Sequence, residues 1–148
     1  MRALIQRVNK AAVTVAKKEI AAIDSGLLIF LGVSKTDTEA DIEWLVKKIP
    51  HMRIFDDADG KMNISCVDAR AQILVVSQFT LYADCSKGRR PGFDSSAEPE
   101  KARKYYELFI ERIKEYCQTI LSGEFAASMV VSLENNGPVT IMLDSNDR

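Results

Sequence analysis

The run Ser77-Gln78-Phe79-Thr80 breaks an otherwise apolar stretch from Ile73 to Tyr82. Hydroxyls and an amide at such a place can grip a polar substrate or bond to neighbouring backbone, since polar groups in a buried strand need partners. If the whole stretch is a strand, Ser77 and Phe79 face one way and Gln78 and Thr80 the other. Thr80 is the obvious nucleophile, but a hydroxyl needs an adjacent base. No Lys or carboxylate lies within residues 77–82, and the chain has one histidine, His51. His51 follows Pro50 at the end of an expected helix, where a solvent-facing or capping role is the plain reading. Zinc motifs built on paired histidines are excluded within one chain.

Two other segments carry chemical possibilities. Asn135-Asn136-Gly137-Pro138-Val139-Thr140 contains an Asn-Gly hairpin signal. The proline directly after it cannot donate to a ladder, which is awkward for a tight hairpin. Lys87, Arg89 and Arg90 put three cations on a glycine- and proline-containing loop. They are either a solvated loop or contacts to phosphate, which Arg and Lys bind without reading sequence. The acidic turn Asp56-Asp57-Ala58-Asp59-Gly60 lacks the twelve-position ligand spacing of a calcium loop and reads as a hairpin turn.

The elements that position these groups follow from periodicity. Residues 2–8, 12–15 and 18–23 read as three short strands, and Leu27 to Val33 as a strand buried on both faces. Thr38-x-x-Asp41 resembles a capping box before Ile42, Leu45, Val46 and Ile49 at helical spacing, with Pro50 as the stop. Met52 to Phe55 and Lys61 to Ser65 read as a strand pair, and Gln72 to Tyr82 as the strongest strand. Pro99 opens a helix whose stripe is Ala102, Tyr106, Phe109, Ile113 and Cys117. Phe125 to Leu133 and Pro138 to Leu143 read as the last two strands, joined by a turn. Many strands and two helices without βαβα alternation predict an α+β fold with mostly antiparallel sheet.

Composition bounds the rest. At 148 residues the chain fits one domain, residues 1–148. Twenty Lys+Arg against twenty-one Asp+Glu, net −1, exclude a general basic coat but not a local patch. No apolar run is long enough for a membrane helix, and the first residues read as a strand rather than a signal peptide. Three scattered cysteines, Cys66, Cys85 and Cys117, fit a reducing compartment, most simply the cytoplasm.

Taken together, Ser77-Gln78-Phe79-Thr80-Leu81 and Asn136-Gly137-Pro138-Val139-Thr140 resemble the two signature motifs of D-aminoacyl-tRNA deacylases. Further similar segments are the first eight residues, Gly26 to Val33, Arg53-Ile54-Phe55 with Gly60-Lys61-Met62, Lys87 to Pro91, and Leu143-Asp144-Ser145. The resemblance spans essentially the whole chain. Two departures stand out: Ala126 where the family usually has glycine after the phenylalanine, and Gly92 where serine is common after Arg90-Pro91.

The resemblance implies a small α+β domain of barrel- or sandwich-like antiparallel sheets with two helices, acting as a homodimer without a metal or cofactor. Its implied activity is hydrolysis of the ester joining a D-amino acid to the tRNA 3′ end. Ser77, Gln78, Phe79 and Thr80 would line the pocket for the terminal adenosine and amino acid. Gly137 and Pro138 would form a Gly-cis-Pro element that reaches the partner's pocket and rejects L-amino acids, with Arg7 supporting it. Phe125 and Met129 are similar to pocket-lining positions, and Lys87, Arg89 and Arg90 would meet tRNA phosphate. With no base near Thr80, the expected chemistry is assisted by the substrate's own 2′-OH, with backbone N–H groups near Phe79 as oxyanion donors. Glycine has no side chain to exclude, so glycyl-tRNA is an expected substrate. The rivals are a nucleic-acid-binding module without turnover, a relaxed-chirality sister deacylase with a trans Gly-Pro bond, and an unrelated esterase.

Overall fold

The computed structural model describes all residues, 1–148. The two expected N-terminal strands are one continuous strand, β1 (Arg2–Val15), that organises the sheet. Along one edge it pairs first with β3 (Gly26–Gly32) and then with β2 (Lys18–Ile23); along the other it pairs with β8 (Met129–Asp144), all antiparallel. Ala16 and Lys17 both take left-handed backbone angles, φ 48° and 67°, which is the two-residue turn that suits the twist of a hairpin. β3 then pairs in parallel with β6 (Gln72–Ser77), and β6 in parallel with the short β7 (Ile120–Ser122). The sheet order is β2-β1-β3-β6-β7, with β8 beside β1. A separate ribbon of β4 (Arg53–Asp56) and β5 (Met62–Ser65) lies outside this sheet.

The alternation of side chains sends one strand's residues to two cores. Ile5, Leu27, Ile29, Leu31, Ile73 and Val75 pack with Ile42, Leu45, Phe109 and Ile113 from the helices. Val8, Val13, Leu28, Leu74 and Val76 pack with Ala21 and Ile23 on the other face. This is why Leu27 to Val33 carries no polar residue. β2 comes back against β6 and β7, so the sheet curls nearly closed around the second core.

Helix α1 (Glu39–Lys48) begins as its capping signal predicts: the Asp41 carboxylate accepts from the Thr38 backbone N–H at 2.7 Å and its hydroxyl at 2.8 Å. Ile49–His51 is a single 3₁₀ turn, the end imposed by Pro50. Helix α2 (Pro99–Ile113) lies against α1, joined by Arg112 bonds to Glu39 and Glu43. The Tyr106 hydroxyl donates to the Val75 carbonyl at 2.8 Å, pinning α2 to the sheet. At Gly26 an added Cβ would stand 2.0 Å from the Gln72 carbonyl oxygen, so only glycine lets β3 and β6 begin side by side.

Three expectations are corrected. The strand expected to reach Tyr82 stops at Ser77, and Phe79–Tyr82 is a 3₁₀ turn. The strand expected from Phe125 starts at Met129, because Ala126 takes φ 65° and turns the chain. The expected hairpin at Asn135-Asn136-Gly137 is instead a bulge within β8. Gln6 pairs with Thr140 and Val8 with Asn135, so the single residue Arg7 faces residues 136–139. No helix is long and apolar enough to cross a membrane.

Candidate active site

The end of β6 opens into a cavity of about 520 Å³, within the size range of small-molecule sites. Its walls come from four places: the ends of β3 and β6 (Leu31, Val33, Val76), the Ser77-Gln78-Phe79 run, the first turn of α2 with its lead-in (Ala97, Pro99, Ala102), and the segment from Phe125 into β8. The last group is Phe125, Ala126, Ala127, Met129 and Val131. None of these lining residues carries an ionisable side chain.

The turn holding Phe79 and Thr80 is fixed at three points. The Gln78 backbone N–H donates to the Leu31 carbonyl at 2.8 Å, and the Ser96 hydroxyl donates to the Phe79 carbonyl at 3.2 Å. Arg2 donates to the Leu81 carbonyl at 2.9 Å while its Nε bonds Asp144 at 2.8 Å. The Arg2 guanidinium lies 4.6 Å over the Tyr82 ring, whose burial pushes that phenol well above its usual range. As the first residues of a 3₁₀ turn, Phe79 and Thr80 have backbone N–H groups with no partner inside the turn. Such donors at a cavity rim can receive a developing oxyanion.

The Thr80 side chain is not among those lining the cavity, whereas the resemblance implies a pocket position for it. The turn carries it outward, where its hydroxyl accepts a hydrogen bond from the Gln78 side-chain amide. Phe79 is 53% exposed and meets Phe93 edge to face at 5.0 Å. Phe125 forms a wall held from behind by Tyr106, ring centres 5.9 Å apart, and by Arg103, whose guanidinium lies 4.7 Å over the ring. Met129 completes that wall. His51 lies elsewhere, at the end of the 3₁₀ turn after α1, against Tyr116 at 5.3 Å.

Gly137 and Pro138 are joined by a cis peptide bond and are exposed; neither lines this chain's own cavity. Arg7, opposite their bulge, is 5% exposed. Its Nε and Nη2 donate to the Asn136 carbonyl and side-chain oxygen at 3.2 and 3.3 Å. Its Nη1 donates to the Ile54 carbonyl at 2.6 Å and to Asp56 at 3.0 Å. One planar fork thus links β1, the bulge and the β4–β5 ribbon.

Lys87, Arg89 and Arg90 are exposed on a loop pinched shut by paired backbone bonds between Asp84 and Gly92, at 2.8 and 2.9 Å. None of the three is in an ion pair, and the loop leads directly to Phe93 beside Phe79. Sequence reasoning missed Ala97, Pro99 and Arg103 as site residues. Ala102 was placed in the α2 core stripe, where its small size was the available signal for a cavity.

The chain matches the family model described as D-Tyr-tRNA(Tyr) deacylase over residues 4–144. A D-aminoacyl-tRNA deacylase of Thermosipho melanesiensis is 59% identical over 146 residues, covering 98% of this chain and 97% of the relative. One from Desulfotalea psychrophila is 52% identical over 145 residues, with 98% and 97% covered. Among solved structures, the c-Myc DNA Unwinding Element Binding Protein superposes with a TM-score of 0.92 at 40% identity, covering 97% of this chain and 98% of its own. A probable eukaryotic D-amino acid tRNA deacylase gives 0.82 at 18% identity, with 96% and 97% covered, a likeness of fold.

Proposed function

The chain belongs to the D-Tyr-tRNA(Tyr) deacylase family, and from that premise we propose how its residues serve the reaction. It is a hydrolase that cleaves the ester of D-aminoacyl-tRNA. In our reading residues 1–148 form one catalytic domain, and the cavity takes the aminoacylated terminal adenosine. Phe79, Phe125 and Met129 supply apolar contact, and Ser77 and Gln78 supply polar contact.

The observation that carries the mechanism is a cavity without any ionisable lining residue. A Thr80 nucleophile would need a base, and its hydroxyl already serves Gln78. The substrate brings its own alternative, the ribose 2′-OH next to the ester. That hydroxyl helps activate water, while backbone N–H groups at Phe79 and Thr80 stabilise the tetrahedral oxyanion.

Chiral selection is assigned to Gly137 and Pro138, held by Arg7 through Asn136. They lie outside this chain's own cavity, which supports delivery into a partner's cavity within a homodimer. The free outer edge of β8 supports such pairing, as do exposed Val130 and Met142 on the same strand. Lys87, Arg89 and Arg90 would hold tRNA phosphates from the cavity rim, and the site of action would be the cytoplasm, where charged tRNA is used.

The test is hydrolysis of matched D- and L-tyrosyl-tRNA by purified protein in EDTA, with glycyl-tRNA as a third substrate. Cleavage of the D and glycyl esters with the L ester intact is expected. Cleavage of both enantiomers would favour the relaxed sister activity. Binding with no cleavage of any would leave a nucleic-acid-binding module and overturn the reading.

A further inference from the structure

None of the three cysteines lines the cavity, and the hydrolysis above has no use for Cys66 and Cys117. The Cys66 and Cys117 sulfurs are 3.9 Å apart and both residues are buried. Cys66 directly follows β5, the second strand of the ribbon, and Cys117 lies just beyond α2. The Cys66 thiol also donates towards the Ala71 carbonyl. A surface cavity of about 190 Å³ opens beside the pair, lined by both cysteines with Arg70, Tyr116 and Thr119. The third cysteine, Cys85, is exposed on the basic loop.

We propose that Cys66 and Cys117 form an oxidisable dithiol, a site at which a peroxide-class oxidant installs a reversible disulfide that ties the β4–β5 ribbon to the end of α2. At 3.9 Å the two sulfurs are already in contact and lie within about 2 Å of bonding distance. The contact with Cys117 and burial hold the Cys66 thiol above its usual range, and Cys117 is 7% exposed where Cys66 has no exposed surface. An oxidant entering from the surface therefore meets Cys117 first, and Cys117 supplies the attacking thiolate.

The chemistry balances in two steps. The Cys117 thiolate attacks one peroxide oxygen, the O–O bond breaks, and the departing hydroxide takes a proton to become water, leaving a sulfenic acid. The Cys66 sulfur then attacks the Cys117 sulfur; the S–O bond breaks and hydroxide leaves as water with the Cys66 proton. Two thiols lose two electrons and two protons, and one peroxide becomes two waters.

The bridge would close a loop between positions 51 apart, enclosing β6, the Phe79–Tyr82 turn and α2. Restricting that length of unfolded chain raises the thermal midpoint by about 5–10 °C. The ribbon also carries Ile54 and Asp56, the far anchors of Arg7. A ribbon that cannot peel away keeps Arg7 seated.

The experiment treats the full chain, and its Cys85→Ser variant, with hydrogen peroxide. Free thiols are then alkylated and peptides mapped without reduction. The expected result in both proteins is one cross-link, Cys66 to Cys117, with the loss of two hydrogens. The midpoint rises by about 5–10 °C, dithiothreitol reverses it, and D-tyrosyl-tRNA hydrolysis at low temperature is unchanged. Cys117→Ser abolishes both the cross-link and the rise. Oxidation confined to Cys85, with Cys66 and Cys117 still alkylated once unfolded, would overturn the proposal. So would a cross-link that lowers the midpoint. Neither outcome depends on the catalytic mechanism.

Discussion

Replacing Arg7 by alanine tests the link between the bulge and chiral selection. The guanidinium gives donors to two backbone carbonyls, Ile54 and Asn136, and to Asp56. Its side chain is only 7% exposed, so water replaces it poorly. Each orphaned carbonyl costs about 1–3 kcal/mol. Asp56 is 46% exposed, so its share of the ion pair is worth about 0–1 kcal/mol. The sum is about 2–7 kcal/mol, or a fall of about 5–25 °C in thermal midpoint. At temperatures where the variant stays folded, residues 136–138 lose their brace, and the wall they form shifts relative to the substrate. Initial rates on D- and L-tyrosyl-tRNA then read out selectivity. A loss of 1.4 kcal/mol is tenfold, and the D-to-L ratio is expected to fall by at least about that factor. Arg7→Lys, one point donor in place of a fork, should sit between wild type and alanine. A ratio that survives in a folded but destabilised Arg7→Ala protein would refute the reasoning and leave Arg7 as a strut only.

Thr80→Ala should retain most of its activity on D-tyrosyl-tRNA, whereas a 2′-deoxy terminal adenosine should lose most of it; the opposite pattern would make Thr80 the nucleophile. Arg89→Ala and Arg90→Ala should each weaken binding of all tRNAs alike and flatten the logarithmic salt dependence by somewhat under one unit, measured by filter binding across a salt series. Ala126→Gly should stabilise the fold by about 0.5–1 kcal/mol in urea titration, because the φ of 65° strains alanine by more than glycine costs the unfolded chain. Asp41 is held down to about 2: burial pushes its carboxyl up, but the Thr38 backbone, the Ser145 and Thr38 hydroxyls and the N-terminal charge together outweigh it. A depressed acid stabilises above its unfolded value, so about 2 kcal/mol is present above pH 4 and lost as pH falls through about 2. Asp41→Asn should flatten the acid-unfolding profile over that window, which equilibrium unfolding at stepped pH will show.

What could be read in advance was local. Pro50, the Thr38-Asp41 pair and Pro99 each act within a turn of their own position, and both helices appear where these signals put them. What could not be read depends on a distant partner. Phe79-Thr80-Leu81-Tyr82 has strand-like residues, but Leu31, Ser96 and Arg2 hold its backbone in a turn. Asn136-Gly137 has hairpin chemistry, yet β1 pairs with β8 on both sides of it, so the same residues become a bulge. The parallel pairing of β6 with β3 and β7 leaves no mark on the sequence beyond apolarity, and Ile120–Ser122 is too short to announce itself. The cavity itself was hidden because Ala97, Pro99 and Ala102 look like ordinary helix-start residues. Only the fold sets them opposite Ser77 and Phe125.

Gly26 sits at the opposite end of this sheet from the cavity, yet it works as the zero mark of a ruler. The parallel register that begins at Gly26 and Gln72 runs step by step to Leu31 and Ser77, five residues or about 17 Å further on. A side chain at that first mark would slide or spread the two strands, and the displacement would be delivered at Ser77 and at the Leu31 carbonyl that holds Gln78. A genetic screen would then score position 26 as though it touched substrate. The signature of a misplaced ruler, as against a missing reagent, is that every step at the cavity weakens together: binding, selectivity and turnover.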